Sequence, residues 1–200
     1  MIELKENDLY FAKVNPNAII PTKEKENAGY DIYACFNKDF LVIPPHSTKL
    51  VPTGIASAIS DKYYLGVAER GSTGKIGMKY SAGVIDSGYR GEIFIGLSNI
   101  NDVPIVISKL TREELEENYG KIGYGETIYM TEEEYEDLIY LEDYEEYNNL
   151  TCIIYPYSKA IAQLIVHEVH NEVEPKEISY KELQSIPSKR GTGSLGSSGK

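Results

Sequence analysis

The chain has 200 residues, 42% of them apolar and 26% charged, which suits one folded domain with a sizeable core and excludes a disordered or fibrous polymer. A net charge of −11 at pH 7 argues against general nucleic-acid binding, which depends on neutralising phosphates with Lys and Arg. No apolar run approaches the roughly 20 residues that span a bilayer, and the opening MIELKENDLYFAK lacks the basic-then-apolar order of a signal peptide, so the expected compartment is the cytoplasm, with no membrane partner.

From residue 9 to about 99 the text consists of short apolar stretches: LYFAKV, YDIYAC, FLVI, KLVPTGIASAI, YYLGVAE, AGVI and EIFIGLSNI. They are rich in Val, Ile and Tyr and are broken by Gly, Pro, Asn and Ser at spacings of about 8 to 12 residues, which predicts an all-β barrel or sandwich. Cys35 and Cys152 are too few for a disulfide framework and have no partner at metal-ligand spacing, so both are expected to be buried small hydrophobes.

Residues 101–150 differ: they hold 15 Asp and Glu against only Lys109, Arg112 and Lys121. Thr111 precedes Glu114, and Thr131 precedes Glu134, at the spacing of a capping box, which predicts helices over 112–119, stopped by Gly120, and over 132–146, with KIGYGETIYM as a strand or turn between them. Leu115 and Tyr119 on the first helix, and Tyr135, Leu138 and Ile139 on the second, make apolar faces. Strands resume at CIIY and AIAQLIVHEV, so a small acidic helical module at 101–152 is set into a β core of 1–100 and 153–187. The Gly/Ser-rich end, 188–200, carries almost no apolar residue and reads as a flexible tail.

Two strings can carry chemistry. In GVIDSGYRGEI, residues 83–93, an apolar strand ends in Asp86, where a carboxylate can act as a general base toward water or can simply cap a hairpin turn. In ERGSTGKIGM, residues 69–78, Arg70 stands beside closely spaced Gly and hydroxyl residues suited to an anion, although Glu69 and Ile76 exclude a Walker A loop. His167 and His170, three apart on an expected strand, point to opposite faces and cannot easily chelate one metal; His46, in PPHS, is a turn residue.

AGYDIYA (28–34), ERGSTGKIG (69–77), GVIDSGYRGEI (83–93), AIAQLI (160–165) and RGTGSLGSSG (190–199) occur in the order of the five signature motifs of the trimeric dUTP pyrophosphatases, or dUTPases, which this sequence resembles. The resemblance implies a β-barrel, jelly-roll subunit of a homotrimer that hydrolyses dUTP to dUMP and pyrophosphate with Mg2+. Asp86 would activate the attacking water, Tyr89 would lie against the deoxyribose, and the backbone of Gly83, Val84 and Ile85 would read uracil. Arg70, Gly71, Ser72 and Gln163, with Arg190, Ser197 and Ser198 of the tail, would bind the phosphates, while Leu195 covers the base as the tail closes. Magnesium would sit on the triphosphate and water with no direct protein ligand, and Asp31 either contacts that hydrated ion through water or bonds at its strand end.

The chain departs from the family pattern at Gly71, where Ser is usual, at Ala160, where Arg is usual, and at Ser194 and Leu195 of the tail. The connection after Asn99 is normally short, so 101–152 is an insertion, either a solvated acidic surface or, since some phage dUTPases carry insertions here and bind regulatory proteins, a site for a repressor-like partner; a phage-encoded chain would work in the host cytoplasm. Two rival readings are a dCTP deaminase-like enzyme, which would need a Glu where Gly96 stands, and a non-catalytic nucleotide-sensing protein.

Overall fold

The computed structural model describes residues 3–119 and 152–189. Its first unit, Met1–Val169, is made of short strands, some burying alternate residues, as in Ile55–Ile59, and some buried throughout, as in Ile105–Ser108. In chain order these are β1 (Leu9–Lys13), β2 (Gly29–Ile32), β3 (Phe40–Ile43), β4 (Thr48–Pro52), β5 (Ile55–Ile59), β6 (Tyr63–Ala68), β7 (Met78–Ser81), β8 (Val84–Ile85), β9 (Phe94–Asn99), β10 (Ile105–Ser108), β11 (Ile153–Pro156) and β12 (Ala162–Glu168). They pair into four small sheets ordered β1-β5, β11-β10-β3, β2-β12-β6-β8 and β4-β9-β7. This is the expected all-β, jelly-roll type of subunit.

One core lies inside these sheets. Ile32, Ile43, Ile55, Leu65, Ile95 and Leu164 are buried there, each contributing roughly 1.5–3 kcal/mol through removal from water. Buried polar groups are satisfied: the Thr53 hydroxyl donates to the Ile93 carbonyl (2.6 Å), and the Asn99 amide donates to Ile43 O (3.0 Å) and Val103 O (2.8 Å). Where β7 and β9 cross, Gly96 is required by space, because a Cβ there would run into the Ser81 carbonyl oxygen. Cys35 and Cys152 are both buried, as expected.

Among the described residues this unit has two short helices, α1 (Gly71–Lys75) and α2 (Arg112–Tyr119). The second starts at the expected capping box: Thr111 N–H donates to Glu114 Oε2 (2.8 Å) and Glu114 N–H donates to Thr111 Oγ1 (3.2 Å). Leu115 anchors it in a satellite cluster with Phe40, Val42, Val106 and Cys152. The second expected helix, 132–146, and the segment KIGYGETIYM lie outside the described residues.

The structure moves the boundary of the insertion. Ile105–Ser108, placed in the acidic module by its charged surroundings, is instead a fully buried strand of the core, antiparallel to β3 and parallel to β11. A parallel pair cannot be closed by a tight hairpin and needs a connection of about a dozen residues or more. Residues 109–152 are that connection.

At the other end, β12 stops at Glu168 and His170 opens a second unit, His170–Lys200, so the β core ends short of residue 187 and His170 does not share a strand with His167. Within this unit α3 (Tyr180–Ser185) buries none of its residues. Ser179 and Glu182 form a capping box at its start, with Ser179 N–H on Glu182 Oε2 (2.8 Å) and Glu182 N–H on Ser179 Oγ (3.2 Å). His46 occupies a turn, as expected, with φ of 50° and Nε2 2.8 Å from Asp102 Oδ1.

Candidate functional site

The four-stranded sheet β2-β12-β6-β8 organises the candidate residues. Its central pair places Gln163 opposite Asp31 on one side and opposite Ala68 on the other. Beyond Ala68 the chain reaches Glu69 and Arg70, so three residues far apart in sequence converge at one end of the sheet. The Gln163 side-chain amide donates to the Glu69 carbonyl (2.7 Å), holding the start of the ERGSTG segment against β12.

Arg70 is fixed on two sides. Its Nε donates to Asp31 Oδ1 (3.0 Å) and its Nη2 to Asp31 Oδ2 (3.1 Å), while Nη1 donates to the Ala160 carbonyl (3.4 Å). A guanidinium has five N–H donors, so two remain for an incoming anion. Both side chains are about one-third exposed, 30% for Arg70 and 34% for Asp31, which leaves the pair open to solvent on one side. The Asp31 carboxylate thus accepts from Arg70 through both of its oxygens.

Arg70 also begins α1, a helix that the Gly- and Ser-rich text disguised as a loop. Thr73 closes its first turn: the Arg70 N–H donates to Thr73 Oγ1 (3.1 Å), and that hydroxyl donates to the Arg70 carbonyl (2.9 Å). Gly71 and Ser72 lie exposed on this turn, and a Cβ at Gly71 would meet open space. Behind it, Lys79 Nζ bonds Glu69 Oε2 (2.9 Å).

The hairpin hangs on the opposite edge of β6. Val67 N–H donates to the Gly83 carbonyl (2.8 Å), and Val84 and Ile85 pair with Gly66 and Leu65. Ala82, with φ of 67°, turns the chain into this strand. Because β8 is the last strand of its sheet, its outer row of N–H and C=O groups is unpaired by the sheet and available to a planar base. Val84 stands 67% exposed beside that edge.

Past Ile85 the turn is tied internally. Tyr89 N–H donates to the Asp86 carbonyl (3.1 Å), Arg90 Nη1 to the Ser87 and Tyr89 carbonyls (2.5 and 3.0 Å), and the Tyr89 hydroxyl to the Glu92 carbonyl (2.9 Å). Glu92 Oε1 in turn accepts from Gly54 N–H (2.7 Å). The Asp86 carboxylate is exposed and has no partner among the described residues, so it is free to accept from water. No hydrogen bond within the subunit joins Asp86 to Arg70. Arg190, Leu195, Ser197 and Ser198 lie outside the described residues.

Among the described residues no group of three or more His, Cys, Asp or Glu could hold a metal ion. With Asp31 engaged by Arg70 and Asp86 standing alone, the donors present fit an ion carried by phosphate oxygens and water, and do not fit a protein carboxylate cage.

A family model described as dUTPase matches residues 15–112. The deoxyuridine 5'-triphosphate nucleotidohydrolase of Leptospira interrogans is 38% identical over 103 residues, which cover 50% of this chain and 70% of that protein. The chain belongs to the dUTPase family. Solved dUTPases share its fold: that of Staphylococcus bacteriophage 80alpha with dUPNHPP aligns at a TM-score of 0.63 and 22% identity, over 97% of this chain and 99% of that one. A mutant dUTPase from phage phi11 of S. aureus, described as revealing the coordination of a structural Mg(II) ion, aligns at 0.57 and 20% identity over 88% and 99%. The dUTPase family match ends at residue 112, the first residue of α2, close to the boundary that the buried strand β10 sets.

Sequence reasoning did not find the Asp31–Arg70 pair, the Glu69–Lys79 pair or the Ala160 carbonyl as a site group. The members of each contact are separated by 10 to 90 residues, and no local pattern marks them. The helix at Gly71–Lys75 carried one usable signal, the Thr73 hydroxyl three residues after Arg70.

Proposed function

We propose that this chain hydrolyses dUTP to dUMP and pyrophosphate as a cytoplasmic homotrimer, with Mg2+ carried by the triphosphate. The observation that supports this most is the single sheet that sets a clamped arginine at one end of β6 and an edge hairpin, ending in an unpartnered carboxylate, alongside it. In this reading the unpaired edge of Gly83, Val84 and Ile85 bonds the uracil edge, and a base that leaves those groups unpaired is rejected. Tyr89, pinned by its hydroxyl to Glu92, presents its ring to the deoxyribose. Asp86 orients and deprotonates the water that attacks the α-phosphorus. Arg70, with Gly71 and Ser72 of the exposed turn and Gln163 behind it, neutralises charge that builds on the leaving pyrophosphate. Magnesium supplies further charge neutralisation on the phosphate oxygens when bound. Arg190, Ser197 and Ser198 add donors from the tail, and Leu195 covers the base. Because Asp86 and Arg70 are not joined within one subunit, a site shared between copies accounts for both.

For the acidic connection 109–152 the reading is a docking surface for a regulatory protein, its acidity steering a basic partner. The deaminase alternative loses its acid–base group for a steric reason, since Gly96 has no room even for a methyl. The test is incubation with magnesium and dUTP, dCTP, dTTP or UTP. Pyrophosphate from dUTP alone is the expected result, and Asp86→Asn should abolish turnover while leaving dUTP binding largely intact. Uracil nucleotides formed from dCTP would favour the deaminase, and no turnover of any nucleotide would favour a binding protein.

A further inference from the structure

Tyr155 stands on β11, the strand along which the chain returns from residues 109–152, and its ring is buried in the core. A buried phenol hydroxyl needs an acceptor. Here the acceptor is the Ala160 carbonyl, at 2.6 Å. That same oxygen faces Arg70, receiving Nη1 at 3.4 Å, on the side of the guanidinium away from the Asp31 carboxylate. Ala160 is itself buried and brings only a methyl group, so its part in the site is played by its backbone.

The Arg70–Ala160 contact is long, and its strength depends on the direction of the carbonyl. The short bond from Tyr155 sets that direction. We infer that Tyr155 is a positioning residue for Arg70: through the Ala160 carbonyl it fixes the plane of the guanidinium and ties the return strand of the 109–152 connection to the phosphate side of the site. This rests on the reading of Arg70 as a ligand of the leaving pyrophosphate. Asp31 alone fixes one edge of the guanidinium but leaves it free to swing about that edge; a second acceptor on another element removes that freedom. The two N–H donors left over then point in one direction, which is the preorganisation that an anion site needs.

Tyr155→Phe keeps the ring and removes only the tether. The expected result is a loss of affinity for the non-hydrolysable dUpNHpp of about five-fold, the scale of one weakened hydrogen bond, with dUMP affinity unchanged because dUMP lacks the pyrophosphate. Arg70→Gln should weaken dUpNHpp by more, and adding Tyr155→Phe to it should change nothing further. The Nε–H NMR resonance of Arg70 in the ligand-free protein should also move in Tyr155→Phe, which reads the tether without any nucleotide. Equal loss for dUpNHpp and dUMP, an equal fold-loss in the Arg70→Gln background, or an unmoved Arg70 resonance would each overturn the inference while leaving the hydrolase reading intact. Unchanged dUpNHpp affinity in Arg70→Gln, or a wild-type protein that does not turn over dUTP, would overturn the reading on which it rests and the inference with it.

Discussion

Asp31 grips Arg70 with both carboxylate oxygens, at 3.0 and 3.1 Å, across 39 residues of sequence. A bidentate, charge-assisted pair of this kind fixes orientation as well as adding energy. Asp31→Asn keeps the shape and one acceptor but loses the charge and the second bond. Because the pair is partly exposed, the expected stability cost is about 1 kcal/mol, or roughly 2–4 °C in Tm. The effect on dUTP should be larger: KM rises about ten-fold as the arginine loses its fixed plane. Thermal melts and steady-state kinetics on the same preparation check both.

Gly96 and Gly71 should respond oppositely to a side chain. Gly96→Ala drives a methyl into the Ser81 carbonyl and must part β7 from β9, at a cost of about 1–3 kcal/mol. Gly71→Ser, which restores the residue usual in the family, enters open space on the first turn of α1 and should leave the urea midpoint unchanged or slightly raised. Equal destabilisation by the two would contradict the packing described at Gly96.

Leu115 fastens α2 to the core, lying fully buried against Phe40, Val42, Val106 and Cys152. Leu115→Ala should cost about 2–5 kcal/mol in equilibrium unfolding. If the hydrolase reading holds, the folded fraction should keep its turnover number, because this cluster does not touch the site.

Glu182 links pH to the order of α3. Its carboxylate accepts from the Ser179 hydroxyl and N–H, and these bonds hold its pKa below the ordinary glutamate value. A depressed folded pKa means that the contribution is present above the unfolded pKa and lost as pH falls through the folded one. The helix should therefore fray as pH falls below the ordinary glutamate range, and the Glu182 carboxyl carbon should titrate at lower pH than a free glutamate. Ser179→Ala should return the NMR titration midpoint to the ordinary value.

The strands were legible because short runs rich in Val, Ile and Tyr are broken by Gly, Pro, Asn and Ser, and both signals are local. The strand Met78–Ser81 was not, since Lys79, Tyr80 and Ser81 offer only Met78 to the core. Ile105–Ser108 was apolar enough to be read as a strand, but Asp102 and the acidic run drew the boundary by charge, whereas burial decides membership of a core. The helix at Tyr180–Ser185 announced itself in Ser179 and Glu182 and was passed over among polar residues. The motif order marked where chemistry would sit. It could not mark how Arg70 is held, because Asp31 lies 39 residues away and Ala160, with Tyr155 behind it, about 90 away.

The parallel pairing of β10 with β11 makes the long acidic segment hard to remove. Two strands heading the same way must be joined by chain that travels back along their length, so splicing Ser108 to Ile153 through a few residues would force one of them to reverse or leave the sheet. An insertion hung on a hairpin can be trimmed and forgotten; a segment that doubles as the return path cannot. The length of this connection is therefore a structural quantity in itself, and a shortened chain stays compatible with this fold only while about a dozen residues of it remain.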